Sequence, residues 1–136
     1  MAIELDIKPL EKAIVSLATA LARHDQTPGD DIVRDACIQR FEFTYELSHK
    51  MLKRFLEATS ANPADVDLMP FQDLIRTGSE RGLLLSDWSR WKIYRTACSI
   101  TSHTYDEKKA NEVFAIVPDF LREARHLRDR LRLGLS

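Results

Sequence analysis

The stretch from residue 93 to residue 107 holds the side chains whose types and spacing come nearest to a reactive site. Four polar residues recur there at spacings of three and four: Arg95, Cys98, Ser99 and Ser102. If a helix continues through this stretch they share one face, with His103 at its margin and Tyr105 two residues further on. An imidazole acts as a base or an acid near pH 7, and a phenol hydroxyl can bind or accept a phosphoryl-type group.

His103 and Tyr105 lie where the last helix is expected to begin, because Thr104 and Glu107 have the spacing of a capping box. Free backbone N–H groups and the positive end of the helix dipole attract phosphate at such a position. Ser102 and Thr104 are therefore candidate phosphate-binding residues. The same residues also allow a purely structural interpretation, in which His103 caps the helix and Tyr105 packs against its neighbours.

A Glu-x-x-His pattern occurs twice, from Glu46 to His49 and from Glu123 to His126. In helical bundles this spacing can present ligands to a shared pair of metal ions. A helical wheel, however, places Glu46 and His49 on a polar stripe and His126 nearly opposite the apolar stripe of its helix, so we expect these residues to face solvent. The sequence predicts no metal site and no other cofactor.

The arginines of the chain allow both a functional and a structural interpretation. Five arginines lie between residues 122 and 132, against only Glu123 and Asp129. Such a face could follow a phosphate backbone, but basic residues near a helix C-terminus also complement its dipole, and we favour this second interpretation. Arg40 lies among apolar residues and must reach water, pair inside the protein or lie at an interface.

The composition excludes several broad classes of protein. The chain has 136 residues, with 20 Lys and Arg against 21 Asp and Glu, and 44% of its residues are hydrophobic. This balance gives no strong field toward nucleic acid or membrane, and it supplies a core for a single domain over residues 1–136. The two cysteines lack the spacing of a metal site. No apolar run is long enough to span a membrane, and the N-terminus has acidic residues where a signal peptide has basic ones. We expect a soluble cytoplasmic protein.

Few glycines and no sustained period-2 alternation predict an all-α fold. Apolar spacing and capping residues predict five helices. The first two are a helix near residues 6–24 and a long helix from Asp30 or Asp31 to about Thr59. The others are a short helix from Pro70 to about Ser79, a helix capped by Ser86 that approaches His103, and a last helix from Thr104. Residues 60–69 are expected to form a loop, and Pro118 should kink or divide the last helix. The predicted architecture is an up-and-down four-helix bundle with an additional short helix.

Two segments carry a family resemblance: DACIQRFEFTYELSHKMLKRFLE over residues 35–57 and TSHTYDEKKANEVFAIV over residues 101–117. Together they resemble the HEPN superfamily, specifically its nucleotidyltransferase substrate-binding group. The resemblance covers nearly the whole chain, because PFQDLIRTGSERGLL and Trp88 between them fit the group's order of elements. It implies a small helical bundle, usually a homodimer, that partners a separate minimal nucleotidyltransferase. In toxin and antitoxin versions it implies a metal-independent ribonuclease, which the partner silences by transferring AMP onto a tyrosine.

The nuclease motif of that family is Arg, a polar residue, three further residues and His, with Tyr two positions later in the modified group. His103 and Tyr105 match its end, which implies that Tyr105 is the AMP acceptor, and Ser99 matches the polar position. Cys98 stands where the arginine is expected. That arginine would hold the scissile phosphate, and losing such a group commonly costs a few kcal/mol. The candidate catalytic residues under this resemblance are His103, Ser99 and Arg95.

Arg95 is the candidate replacement for the missing arginine, since it lies one turn earlier on the same face as Cys98. Helical side chains lean toward the N-terminus, however, which would aim Arg95 away from His103. Cys98 is expected to fill space between helices rather than act as a nucleophile. The first hypothesis is a protein that binds a nucleotidyltransferase and a nucleotide or RNA phosphate, with weak or no RNA cleavage. The alternatives are a ribonuclease toxin that uses His103, and a structural adaptor whose site has decayed.

Overall fold

The computed structural model describes residues 4–103 and 105–135, and within these ranges the chain is helical and forms no strand. The elements are, in chain order, α1 (Lys8–Gln26), α2 (Asp31–Ala58), α3 (Pro63–Asp67), α4 (Phe71–Glu80), α5 (Trp88–Ser99), a 3₁₀ turn (Thr101–His103) and α6 (Glu107–Leu135). The predicted all-α class is confirmed. None of the described helices is both long enough and apolar enough to cross a membrane.

The core forms where the long central helix α2 packs against α1 and α6, with α5 closing the other side. Its centre is a group of aromatic rings around Phe120, whose ring centroid lies 5.2 Å from that of Phe41 and 5.0 Å from that of Tyr94. Trp91 adds a third edge-on contact to Phe120 at 5.9 Å. Such edge-to-face pairs stabilise a core beyond the area they bury. This aromatic group fixes α5 against α2 and α6, and α5 carries several of the candidate site residues.

Side-chain caps fix the starts of α2 and α5. The Asp30 side chain accepts hydrogen bonds from the backbone N–H groups of Ile32 and Val33, so α2 begins at Asp31 as predicted. The cap of α5 is Asp87, which accepts from Ser89 N at 3.0 Å, and the prediction of Ser86 is wrong by one residue. Aspartate and serine are comparable caps, so adjacent positions compete and the local packing decides.

Two predicted interruptions of the helices differ from the structure. Residues 60–69 are not all loop, because Pro63 begins the short helix α3, where its fixed φ and missing N–H suit the first turn. Of the two effects predicted for Pro118, the division of the last helix is wrong, because α6 continues from Glu107 to Leu135, and the kink stays a prediction. Pro118 is exposed on that helix. The backbone carbonyl that loses its hydrogen bond there can be solvated by water, which lowers the cost of an internal proline.

Arg34 joins the start of α2 to the start of α6, a role that the sequence did not indicate. Its guanidinium is buried and donates to Glu107 Oε1 at 2.6 Å and to Asn111 Oδ1 at 3.3 Å. It also donates to Asp35 Oδ1 at 3.1 Å. Glu107 is the main cause of the raised pKa of Arg34, followed by burial, which acts in the opposite direction, and then Asp35. This cluster anchors the N-terminal end of α6, just after the candidate site residues.

Candidate functional site

His103 and Tyr105 lie side by side on the surface between α5 and α6. His103 ends the 3₁₀ turn, and its backbone N–H donates to Ile100 O at 3.0 Å. The ring centroids of His103 and Tyr105 are 6.2 Å apart. Tyr105 is 86% exposed, and His103 is also exposed. Both rings are therefore accessible to a ligand or to another protein.

The amino terminus of α6 is capped from within the chain. Asp106 Oδ1 accepts hydrogen bonds from Lys108 N at 3.0 Å and from Lys109 N at 3.4 Å. A carboxylate thus occupies the position where we expected a phosphate, and its charge opposes the binding of a second anion at these amides. Thr104, the predicted cap and phosphate-binding residue, lies outside the described residues.

The candidate residues of α5 do not form one continuous face with those beyond it. Helix α5 ends at Ser99, and Ser102 and His103 belong to the separate 3₁₀ turn, where both are exposed. The Ser99 hydroxyl donates to Thr96 O at 2.6 Å. Arg95 places its guanidinium over the ring of Phe71 in α4, with Cζ 4.9 Å from the ring centroid. The arginine therefore points to α4, the direction expected from the lean of helical side chains.

Arg95 lines an open cleft of about 400 Å³ between α2, α4 and α5. We call it the His49 cleft, and the residues that line it are Glu42, Tyr45, Glu46, His49, Phe71, Arg95, Cys98 and Ser99. The Nε2 atom of His49 lies 3.3 Å from Glu46 Oε2. The His49 ring also meets the rings of Tyr45 and Phe71 edge-on, at centroid distances of 5.2 and 5.4 Å. The cleft thus combines an oriented imidazole, a guanidinium and two carboxylates.

Burial sets the protonation states inside this cleft. Burial lowers the pKa of His49, and the nearby Glu46 carboxylate acts in the opposite direction. The lowered pKa favours the neutral imidazole near pH 7. Burial also raises the pKa of Cys98 to about 12, and the negative charges of Glu42 and Glu46 add to that rise. Cys98 is therefore a thiol at physiological pH, which makes it a poor nucleophile. Its contacts with the core fit the expected role of a filler between helices.

The two Glu-x-x-His pairs differ from the prediction that they face solvent. His49 is largely buried in the cleft, and Glu123 is fully buried beneath the connection between α4 and α5. Glu123 Oε2 accepts a hydrogen bond from Leu85 N at 2.7 Å, and the Nε2 atom of His126 lies 3.3 Å from Gly82 O. Within residues 4–103 and 105–135, no group of three or more His, Cys, Asp or Glu side chains is arranged to hold a metal ion.

The arginines near the end of α6 are partly neutralised by acids. Arg122 pairs with Asp119 at 2.7 Å, Arg128 with Asp129 at 3.0 Å, and Arg132 with Glu11 of α1. These pairs favour the structural interpretation of that face. Arg40 donates to Ser16 O at 2.8 Å, so it finds a backbone carbonyl of α1 and not the carboxylate that an internal ion pair would need.

The fold and the site define a class of protein: a small helical bundle with an exposed His–Tyr pair beyond its fifth helix and a polar cleft beside it. Residues 5–133 match the family model described as nucleotidyltransferase substrate binding protein like. The chain belongs to this HEPN-type family.

Similar proteins and solved structures support the assignment. A relative from Haemophilus influenzae (strain Rd) named "Probable ribonuclease HepT" is 38% identical over 137 residues, covering 95% of this chain and 93% of the relative. A solved structure from Haemophilus influenzae, described as having the fold of a substrate binding domain of a nucleotidyltransferase, has a TM-score of 0.86 at 38% identity and covers 93% of this chain and 99% of that one. A crystal structure of a protein from Thermus thermophilus has a TM-score of 0.67 at 30% identity and covers 90% and 98% of the two chains.

Proposed function

We propose that this protein acts in the cytoplasm as a homodimer that binds a separate minimal nucleotidyltransferase, and that Tyr105 accepts AMP from it. The family model and the similar fold described as a substrate binding domain of a nucleotidyltransferase support the partner. A second part of the proposal is a site for a nucleotide or RNA phosphate, with weak or no RNA cleavage. The Cys98 thiol at the motif position supports the weak or absent cleavage, because a neutral thiol cannot hold a phosphate as arginine does.

The exposure of Tyr105 carries the proposal for the acceptor. The chain has three tyrosines, and the other two, Tyr45 and Tyr94, are buried in the core. The Tyr94 hydroxyl also donates to Asp119 Oδ2 at 2.7 Å. Burial raises the pKa of both core tyrosines well above the usual range, which further suppresses their phenolate forms. Tyr105 is therefore the tyrosine that a partner enzyme can reach without unfolding the bundle.

The proposed transfer balances without a redox partner. The Tyr105 phenol oxygen attacks the α-phosphorus of ATP held by the nucleotidyltransferase, and the bond between that phosphorus and the bridging oxygen breaks. Pyrophosphate leaves, and the phenol proton passes to solvent or to a base. The ring of His103 lies 6.2 Å from that of Tyr105, and in this proposal His103 influences the phenol proton or the new phosphodiester.

Co-expression with the nucleotidyltransferase, followed by gel filtration and mass spectrometry, tests the proposal. We expect a joint peak and the mass of one added AMP on the peptide that contains Tyr105. Tyr105→Phe should abolish the added mass and keep the joint peak, whereas Tyr94→Phe should leave both unchanged. Separate peaks would refute the pairing, and AMP on another residue would refute the acceptor. No pairing together with no nucleotide or RNA binding would favour the decayed structural adaptor.

A ribonuclease is the second candidate function, because a relative at 38% identity carries the name "Probable ribonuclease HepT". His103 would then polarise the 2′-hydroxyl or the leaving oxygen of RNA, and Arg95 or another basic residue would hold the phosphate. Expression without the partner should arrest growth, and His103→Ala should relieve the arrest. His24→Ala is a suitable control, since His24 packs on Phe114 of α6. Harmless expression of the parent, or equal toxicity of His103→Ala, would refute this candidate.

A further inference from the structure

The His49 cleft contains the chemical groups that recognise a ribonucleotide, and neither His103 nor Tyr105 is among the described residues that line it. Its volume of about 400 Å³ lies within the range typical of small-molecule sites. Its walls come from three different helices, each fixed by the aromatic core. The cleft is therefore a formed surface feature with polar groups on rigid elements.

The imidazole of His49 is held in one orientation. Its Nε2 lies 3.3 Å from Glu46 Oε2, while Tyr45 and Phe71 meet the ring edge-on. A neutral imidazole that donates from Nε2 to the carboxylate has its lone pair on Nδ1. His49 can then accept a hydrogen bond from a ligand hydroxyl or amine.

The guanidinium of Arg95 is the cationic group among the described residues that line the cleft. Its contact is the face of Phe71, and within the described ranges it makes no hydrogen bond or ion pair with a carboxylate. An arginine stacked on an aromatic face keeps its in-plane N–H groups free to donate hydrogen bonds to a ligand. A planar guanidinium can form bidentate hydrogen bonds with phosphate oxygens.

We propose that the His49 cleft binds a ribonucleoside monophosphate, either free or as one unit of an RNA strand. Arg95 binds the phosphate, and Glu46 and Glu42 accept hydrogen bonds from the ribose hydroxyls. Carboxylates are commonly used to recognise ribose hydroxyls. This deepens the nucleotide-binding part of the proposed function and is independent of Tyr105.

The charges of the cleft select among phosphates. Glu42 and Glu46 carry two negative charges against the one positive charge of Arg95, with His49 neutral. Each additional phosphate would bring further negative charge close to these carboxylates. We therefore expect 5′-AMP to bind more tightly than ATP, and 2′-deoxy-AMP to bind more weakly than 5′-AMP because it offers one hydroxyl fewer.

Titration calorimetry of the isolated full chain with 5′-AMP, adenosine, 2′-deoxy-AMP, ATP and a short oligoadenylate tests this site. Arg95→Gln should weaken the binding of 5′-AMP or of the oligonucleotide about tenfold or more, the loss expected for a charge-assisted hydrogen bond. Arg90→Gln is the matched control: Arg90 lies on the same helix, pairs with Asp119 at 3.5 Å and should leave binding unchanged. Circular dichroism confirms that each variant is folded.

Glu46→Gln provides a second readout, because it should reduce the preference for 5′-AMP over 2′-deoxy-AMP. Binding of the oligonucleotide but not of 5′-AMP would identify RNA as the source of the ligand, provided that Arg95→Gln weakens it. The inference is overturned if neither ligand binds the parent, if Arg95→Gln binds as tightly as Arg90→Gln, or if adenosine binds as tightly as 5′-AMP. Transfer of AMP onto Tyr105 in the co-expression experiment would survive each of these results, so the two proposals can fail separately.

Discussion

Replacing Glu123 tests how the buried carboxylate stabilises the connection that leads into α5. The side chain is fully buried, and Oε2 accepts a hydrogen bond from Leu85 N at 2.7 Å. The other oxygen, Oε1, and the nearby Trp91 Nε1 have no hydrogen-bond partner within the described part of the chain. Burial is the main cause of the raised pKa of Glu123, and the hydrogen bond from Leu85 N–H is the largest effect that acts against it.

The magnitude follows from the groups that each variant leaves unpaired. Glu123→Ala removes the acceptor of Leu85 N–H and opens a cavity. Losing a partly buried hydrogen bond to a carboxylate costs about 1–3 kcal/mol, so together with the cavity we expect a loss of about 2–4 kcal/mol in the free energy of unfolding. Glu123→Gln keeps the volume and one acceptor oxygen without a charge, so it imitates the protonated side chain and should be far less destabilising.

The pH dependence has a definite sign. Because the pKa of Glu123 is higher in the folded state, its protonated form contributes stability that is complete below the unfolded-state pKa and is lost as pH rises through the folded-state pKa. Each pKa unit of difference corresponds to about 1.4 kcal/mol. Urea unfolding followed by circular dichroism from pH 4 to 9 should therefore show Glu123→Gln gaining stability relative to the parent as pH rises. The assignment of burial as the dominant effect would be refuted if the difference in the free energy of unfolding between parent and variant did not change with pH. It would also be refuted if the parent became more stable relative to the variant as pH rises.

Three further substitutions test other contacts. Arg34→Gln should lower the free energy of unfolding by about 1–3 kcal/mol through loss of the bond to Glu107, measured by urea unfolding, and an unchanged midpoint would contradict this. Tyr94→Phe should lower the free energy of unfolding by about 1 kcal/mol at pH 7 through loss of the hydrogen bond to Asp119. The loss should be smaller in acid, because protonation of Asp119 weakens that bond, and a loss that does not change with pH would contradict this. Cys98→Arg should raise cleavage of a fluorescent RNA about 100-fold, since a guanidinium stabilises charge developing on phosphate, and unchanged cleavage would contradict that role.

The long helices were predictable because their starts and lengths depend on local signals. Helix α2 combines the cap at Asp30 with a long run free of glycine and proline, and the structure confirms both its start and its approximate end. Cap choice between neighbours was not predictable: Asp87 rather than Ser86 caps α5 because the extended backbone there directs the Asp87 carboxylate to Ser89 N. Such a choice depends on how the preceding loop is packed.

The burial of acids and histidines was harder to predict than the helices. Glu123 lies three residues after Phe120 and four before Leu127, so it shares their buried face, and this spacing was a usable signal. For His49 the decisive fact is that α4 lies against α2 and brings Phe71 over it. The polar stripe of α2 is covered there by another helix, which no pattern within α2 could reveal.

The end of α5 at Ser99 explains why the predicted residues divide into two places. Arg95 and Cys98 precede this end and face the His49 cleft, while His103 lies beyond it on the exposed 3₁₀ turn. Cys98 is kept neutral by burial and by the carboxylates of α2, so it cannot attract phosphate at the position where the resemblance implies an arginine. Among the described residues that line the cleft, Arg95 is the cation that remains. A phosphate bound by Arg95 in the His49 cleft would therefore lie one helical turn nearer to α4 than a phosphate bound by an arginine at position 98. It would lie over Phe71 rather than beside His103.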